Sequence, residues 1–457
     1  MITIAEPKEH IDKLWGKQKI REGETYWMMR YVLRVDHEDK VLLHNVVTGR
    51  LVVLEREEAE ALETLPSPYN PVMEQLVTEH YLVPENHDEH QQVVNLRYLL
   101  RRVYDAQKSK FINKYTILPT TACNARCYYC FEHGIKSVTM TEAIAREVIR
   151  FIIDHCDKAK KVDIVWYGGE PTLMSQRIDQ ICEGLQSSGV EYESSIITNG
   201  YLFDENMVHR AKALWHLKSA QVSVDGAEHN HNAIKDFANI SDNAYQRVIR
   251  NIGFLINEGI RVHVRMNFDL GNYQDFPILL DDLEKSGLSS HKLLEVIAAP
   301  ILGEHPNKEG KVLHADDSWM DEKICELDDM ARVAGFTHYG MPLPCLEYTG
   351  CSAADDSFII IGPNGSLSKC LECVSDEHSV GTLRDGITDQ IRVQSWKVLA
   401  DHKKCSNCTF FPYCMRMNRC SGEDRCYEAD AIRQIKYSMK MAYKKFSEKE
   451  GGNNDFQ

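Results

Sequence analysis

Hydrophobic positions along the chain change rhythm twice. In the first hundred residues they form three strand-like runs, YWMMRYVLRV (26–35), KVLLHNVV (40–47) and GRLVVL (49–54). Val, Leu and aromatic residues dominate them, and the polar HEDK and a Thr48-Gly49 step divide them. This pattern predicts a small antiparallel sheet. EREEAEALETL (55–65) reads as a helix with acidic residues in its first turn, and NPVMEQLVTEHYL (70–82) as a second. VPENHDEHQQ (83–92) predicts a linker edge, and NLRYLLRRVYDAQKSKF (95–111) a connecting helix.

From about residue 113 strands and helices alternate. The strand-like runs are YTILPT (115–120), KVDIVWYGG (161–169), ESSIITNG (193–200), AQVSVDG (220–226), RVHVRMNF (261–268) and KLLEVIAAP (292–300). Amphipathic stretches such as TEAIAREVIRFIIDHC and NAYQRVIRNIGFLINEG lie between them with helical apolar spacing. Such alternation implies a parallel sheet, and six units predict an α/β fold, a partial (β/α)6 TIM-like barrel. Beyond residue 311 the rhythm is lost. Helical text near 318–334 leads into a loop-rich, Cys-rich tail, and KKFSEKEGGNNDFQ predicts a frayed end. The expected domains are 1–95, 96–310 and 311–457.

Composition narrows the function. With 457 residues the chain has room for about three domains at roughly 150 residues each. A formal net charge of −15 argues against sequence-independent nucleic-acid binding, which needs surplus cations for phosphates. No run approaches the roughly 18 apolar residues of a membrane span, and the charged start MITIAEPKEHIDKLW has no apolar signal core. A cytoplasmic protein without a membrane or nucleic-acid partner is expected. In a reducing compartment 15 cysteines favour metal ligation over disulfides.

The cysteines are clustered. Cys123, Cys127 and Cys130 share a short loop directly after the strand YTILPT, and nine more fall between Cys345 and Cys426. Three thiolates on one loop can hold three corners of a [4Fe–4S] cube and leave one iron open. The plainer alternatives are a zinc knuckle or buried thiols, although structural zinc prefers four ligands. Cys156, Cys182 and Cys325 stand alone in helical text and read as small buried hydrophobes. The HNH at 229–231 reads as a polar loop, and the aromatic and Met residues of YWMMRY read as core.

The C-x3-C-x2-C spacing with Tyr129 before the last Cys resembles the signature of the radical S-adenosylmethionine (SAM) superfamily. Gly168-Gly169-Glu170-Pro171 resembles that family's GGEP motif, which binds the amino group of SAM's methionine. Thr198, Asn199, Ser223 and Asp225 sit where related enzymes contact methionine and ribose, and Arg265 and Asn267 resemble residues near the carboxylate and adenosyl parts. All these motifs fall at carboxyl ends of expected parallel strands, where α/β barrels place their sites. Taken singly, the glycines and Pro171 suit a tight turn before a helix, Ser223 and Asp225 suit turns, and Arg265 suits an ion pair.

The tail reads Cys345-x5-Cys351-x18-Cys370-x2-Cys373, then Cys405-x2-Cys408-x5-Cys414-x5-Cys420-x5-Cys426. It resembles a SPASM domain, which holds two auxiliary [4Fe–4S] clusters in peptide-modifying radical SAM enzymes. The third gap of the second run is x5 where the family has x3, and nine cysteines face eight places. The resemblance implies Cys345, Cys351, Cys370 or Cys373, and Cys420 for the first auxiliary cluster. It implies Cys405, Cys408, Cys414 and Cys426 for the second. Paired C-x2-C units would also suit two structural zinc ions. The amino-terminal pattern resembles the winged-helix-like element that binds leader peptides in ribosomal-peptide maturases; a structural cap or dimerisation domain has the same pattern.

Together these resemblances imply a radical SAM/SPASM peptide maturase with three [4Fe–4S] clusters, SAM, a precursor peptide and a low-potential electron donor. In that group a 5′-deoxyadenosyl radical abstracts hydrogen from the peptide, and thioether crosslinks from Cys are the expected product. A carbon–carbon crosslink, formylglycine formation on a sulfatase, and a non-enzymatic iron–sulfur or zinc sensor or peptide escort remain as alternatives.

Overall fold

The computed structural model describes the chain except for residues 108–109, 131–135, 239–241, 290, 302, 304, 308, 314–316, 337–342, 372–377, 399–402, 417–427 and 453–457. The chain divides into two compact units. The first comprises 1–108, 339–351 and 396–457; the second comprises 109–338 and 352–395. The segment after 311, expected as one domain, is thus shared between them.

In the first unit the strands are β1 (Ile2–Ala5), β2 (Thr25–Met28), β3 (Val32–His37), β4 (Lys40–Asn45), β5 (Leu51–Glu55), β6 (Ser67–Pro68) and β7 (Leu82–Pro84). They form an antiparallel sheet in the order β1-β5-β4-β3 and a smaller sheet β6-β2-β7. The run 26–35 therefore breaks into two strands that belong to different sheets. The expected linker at 83–92 contributes β7 and then the first turn of a helix, Glu89–Gln107. This helix buries Val93, Leu96 and Leu100 against β4, β5 and the 405–411 loop. The carboxyl-terminal stretch, expected to fray, is helical over Glu428–Gly452, and its Ile435 and Met439 pack on Leu33, Val35 and Leu42.

The second unit is built on β8 (Lys114–Thr120), β9 (Val162–Gly168), β10 (Tyr192–Thr198), β11 (Leu217–Val224), β12 (Arg261–Phe268) and β13 (Leu294–Pro300). These six are parallel and neighbour one another in chain order, as the alternating pattern requires. β8 is buried at every residue from Tyr115 to Thr120, as suits a strand covered on both faces. It is also flanked by a seventh parallel strand, β14 (Phe358–Ile361), beyond which β15 (Ser366–Ser368), β16 (Gly381–Thr382) and β17 (Gly386–Ile387) extend the sheet antiparallel. The result is a ten-stranded mixed sheet.

Alternation decides which side chains face the site. On β12, Val262, Val264, Met266 and Phe268 are buried, while His263, Arg265 and Asn267 occupy the opposite, partly exposed face. Helices Glu142–His155, Ser175–Ser187, Glu205–Ala213 and Ala244–Asn257 supply Phe151, Ile181, Val208 and Ile252 to the core around Trp166 and Trp215. Among the described residues no helix is long and apolar enough to cross a membrane.

Candidate functional site

The loop 121–130 leaves the carboxyl end of β8 and carries Cys123, Cys127 and Cys130. It lies against the ends of β9 and β10. The Gly169 amide donates to the Thr120 carbonyl at 3.1 Å and the Glu170 amide to the Ala122 carbonyl at 2.9 Å. This approach needs glycine. A Cβ at Gly168 would lie 2.2 Å from the Thr120 oxygen, on a backbone already at φ +124°, and a Cβ at Gly169 would lie 2.3 Å from the Ala122 oxygen.

Glu170 is fully buried and ties β9 to β10. Its Oε1 accepts from the Thr172 amide at 3.1 Å, the Thr172 hydroxyl and the Thr198 hydroxyl at 2.8 Å; its Oε2 accepts from the Asn199 amide at 2.8 Å. Burial pushes this carboxyl upward and the four donors pull it back. Pro171 opens the short 3-10 turn Pro171–Met174, with Glu170 as its cap. Asn199 Nδ2 donates to Asn124 Oδ1 at 2.7 Å and approaches Cys123 Sγ at 3.9 Å.

A second network joins the loop to β11 and β12. Tyr129 donates to Asp225 Oδ2 at 2.6 Å, and Asn267 Nδ2 donates to both Tyr129 Oη and Asp225 Oδ1 at 3.0 Å. Arg265 Nε donates to Asn267 Oδ1 at 3.0 Å. Ser223 enters through Lys235, whose Nζ reaches Ser223 Oγ at 2.9 Å and Asp225 Oδ2 at 3.1 Å. Burial works against the Lys235 ammonium, but the Asp225 carboxylate and the Cys127 thiolate outweigh it and raise its pKa. The neighbouring Tyr128 donates to Asp269 at the end of β12. Every site residue expected from the strand ends is therefore brought to one end of the sheet.

Lys235 and Asp269 were not singled out by sequence. The HNH expected as a polar loop lies in the helix Glu228–Lys235, with His231 fully buried and its Nδ1 accepting the Asp225 amide at 3.2 Å. A lone Lys one helical turn after a buried His carries no motif; only the helix places it over the Cys loop.

The donor set, three thiols on one short loop, is of the kind that binds the separate irons of a [4Fe–4S] cube. Burial pushes the Cys127 thiol upward, with Lys235 pulling against it. Metal binding there would have to displace protons.

The tail cysteines divide. Cys345, Cys351, Cys405, Cys408 and Cys414 lie in the first unit and Cys370 in the second, while Cys373, Cys420 and Cys426 fall outside the described residues. The buried Arg97 organises the 405–414 loop. It donates to the carbonyls of Phe411 at 2.9 Å and Cys414 at 2.8 Å, and its guanidinium lies 5.0 Å from the Phe411 ring centroid. The buried Cys156 and Cys182 belong to the core, as expected.

A partial parallel barrel whose strand ends gather a three-cysteine loop, a Gly-Gly-Glu-Pro turn and a buried polar network defines a class of cofactor-dependent proteins. Residues 117–283 match the Radical SAM superfamily: the chain carries a radical SAM domain. It is 26% identical over 166 residues to the Fe-coproporphyrin III synthase of Methanosarcina barkeri, covering 36% of this chain and 39% of that protein. It is 32% identical over 95 residues to the GTP 3',8-cyclase of Desulforamulus reducens, covering 21% and 29%. The matches thus span well under half the length of these curated relatives. The fold resembles a solved structure of native anSMEcpe with bound AdoMet and Kp18Cys peptide, at 16% identity and a TM-score of 0.57, covering 72% of this chain and 98% of that one.

Proposed function

We propose that this radical SAM protein modifies a ribosomally made precursor peptide and forms intrapeptide thioether crosslinks from Cys. The observation that carries the reading is the double attachment of the Cys123–Cys130 loop, through Asn199 and Glu170 on one side and Tyr129, Asp225 and Asn267 on the other. Cys123, Cys127 and Cys130 would hold the SAM-binding [4Fe–4S] cluster. Gly168, Gly169, Thr198, Asn199, Ser223, Asp225, Arg265 and Asn267 would line the SAM site. Bound there, cluster and SAM supply a one-electron cleavage that makes a carbon radical for hydrogen abstraction.

The chain's own residues bind, orient and shield. Glu170 fixes the relative height of β9 and β10, so that the backbone at Gly168 and Gly169 meets the Cys loop. Tyr129 is held protonated by burial and by Asp225, so it bridges the loop to β11 as a donor. The tail cysteines Cys345, Cys351, Cys370, Cys373, Cys405, Cys408, Cys414, Cys420 and Cys426 would hold two auxiliary clusters, one with an iron open to a substrate thiolate. Residues 1–95 would bind the leader of the precursor, 96–310 would form the radical SAM barrel and 311–457 the auxiliary-cluster region. The peptide carried by anSMEcpe supports a peptide substrate on this fold.

The test is anaerobic and reducing. Full-length protein should carry about twelve irons, falling to about eight when Cys123, Cys127 and Cys130 become Ala. With SAM it should release 5′-deoxyadenosine, and a Cys-containing precursor should lose two hydrogens per crosslink together with one free thiol. Hydrogen loss with every thiol retained would point to a carbon–carbon crosslink. Absence of deoxyadenosine from cluster-loaded protein would refute the enzyme reading. Deleting 1–95 should abolish turnover of the full precursor.

A further inference from the structure

Lys235 lies at the centre of the site's buried network, although no motif marks it. Its side chain is 3% exposed. Besides Asp225 and Ser223, its Nζ reaches Tyr129 Oη at 3.2 Å and lies 5.8 Å from the Tyr129 ring centroid. Its backbone carbonyl accepts the Arg126 amide at 2.7 Å. One residue thus grips the Cys loop twice, next to Cys127 and next to Cys130. Asp225 can neutralise the ammonium as a pair. The thiols of the loop change that balance, because they become thiolates on taking up metal. Because Lys235 itself is almost wholly buried, water screens its charge little.

The geometry points to Lys235 as a positioning residue that clamps the 123–130 loop onto the end of β11 and whose charge offsets the thiolates of Cys123 and Cys127 in the cluster-loaded protein. This rests on the cluster reading above. It goes beyond that reading in assigning the cluster's electrostatic partner to a helix outside the ligand motifs.

The experiment uses the anaerobically reconstituted full chain. The readouts are iron per chain and the midpoint potential of the reduced-cluster electron paramagnetic resonance signal that changes on adding SAM. Lys235→Met should shift that midpoint to more negative values, because loss of a nearby cation disfavours the reduced cluster. Lys235→Arg should return it toward the wild-type value. Because Lys235→Met leaves Asp225 buried without its cation, Lys235→Met/Asp225→Asn is measured beside it and decides if the single variant does not fold. The double variant removes both charges of this pair, so its midpoint should lie between those of Lys235→Met and the wild type. An unchanged midpoint in the folded Met variants, or an Arg variant displaced as far as Met, overturns the proposal. Wild-type protein with no SAM-responsive signal overturns the cluster reading itself, before any variant is compared.

Discussion

Replacing Gly169 with Ala tests how closely the strand end and the Cys loop depend on each other. The added methyl would sit 2.3 Å from the Ala122 oxygen and 2.7 Å from the Thr121 oxygen, where ordinary contact begins at 3.4 Å. The opposing atoms are backbone, so no rotamer change relieves the overlap; the segment leading into Cys123 must move by about 1 Å. Overpacking of this kind costs about 1–3 kcal/mol. The same movement stretches the 2.9 Å bond from the Glu170 amide to the Ala122 carbonyl, which adds about 1 kcal/mol. The expected total is about 2–4 kcal/mol, read as a lower urea midpoint in the cluster-free protein. Because Cys123 follows the displaced residue, loaded protein should also lose the SAM-responsive cluster signal. A Gly169→Ala protein with an unchanged urea midpoint and full cluster occupancy would refute the argument.

Three further outcomes follow from the geometry. Glu170→Gln should cost about 2–4 kcal/mol before any SAM is added, since charge-assisted bonds from four donors weaken at once; urea unfolding without ligand measures it, and unchanged stability with weakened SAM binding would show a ligand-only role. Arg97→Met should cost about 3 kcal/mol by removing two bonds from a buried cation, and should lower tail iron while sparing the SAM-responsive signal; unchanged total iron would refute the clamp. His44 is fully buried, with Nε2 2.9 Å from the Pro344 carbonyl, and burial lowers its pKa from 6.5 to about 4. Neutral His44 is therefore favoured by the fold, and stability present above pH 6.5 should be lost as pH falls toward 4, by about 3 kcal/mol in full. His44→Gln keeps a donor for Pro344 but does not titrate, so its urea midpoint should fall less steeply over that interval; parallel pH profiles would refute this.

The second unit was legible because its signals are local. The period-2 pattern of RVHVRMNF marks β12 at both ends, and the Cys loop and Gly-Gly-Glu-Pro turn sit where such strands stop. The pairing of β14 with β8 was not legible. FIII is too short to separate from a buried helix segment, and its partner lies more than two hundred residues earlier. The split of YWMMRYVLRV was hidden because nothing in a continuous apolar run marks a change of sheet. Lys235 was hidden for a different reason: its role comes from the helix over the loop, and a single lysine has no period to read. Arg97 was masked in the same way, as one of several charged residues in its helix.

The position of β8 has a consequence for how the protein is made. The strand that launches the Cys loop has β9 on one side and waits for β14 on the other. Lys114 and its partner Phe358 are 244 residues apart. At about 5–20 residues per second, translation takes some 12–50 s to span that interval. Throughout it one edge of the nascent barrel keeps its peptide groups open beside the three cysteines that follow β8. That edge is a template for misplaced strands, including those of neighbouring nascent chains. The fold thus ties closure of the strand that leads into its cysteine loop to completion of its last quarter, and metal delivery during synthesis has to coexist with that delay.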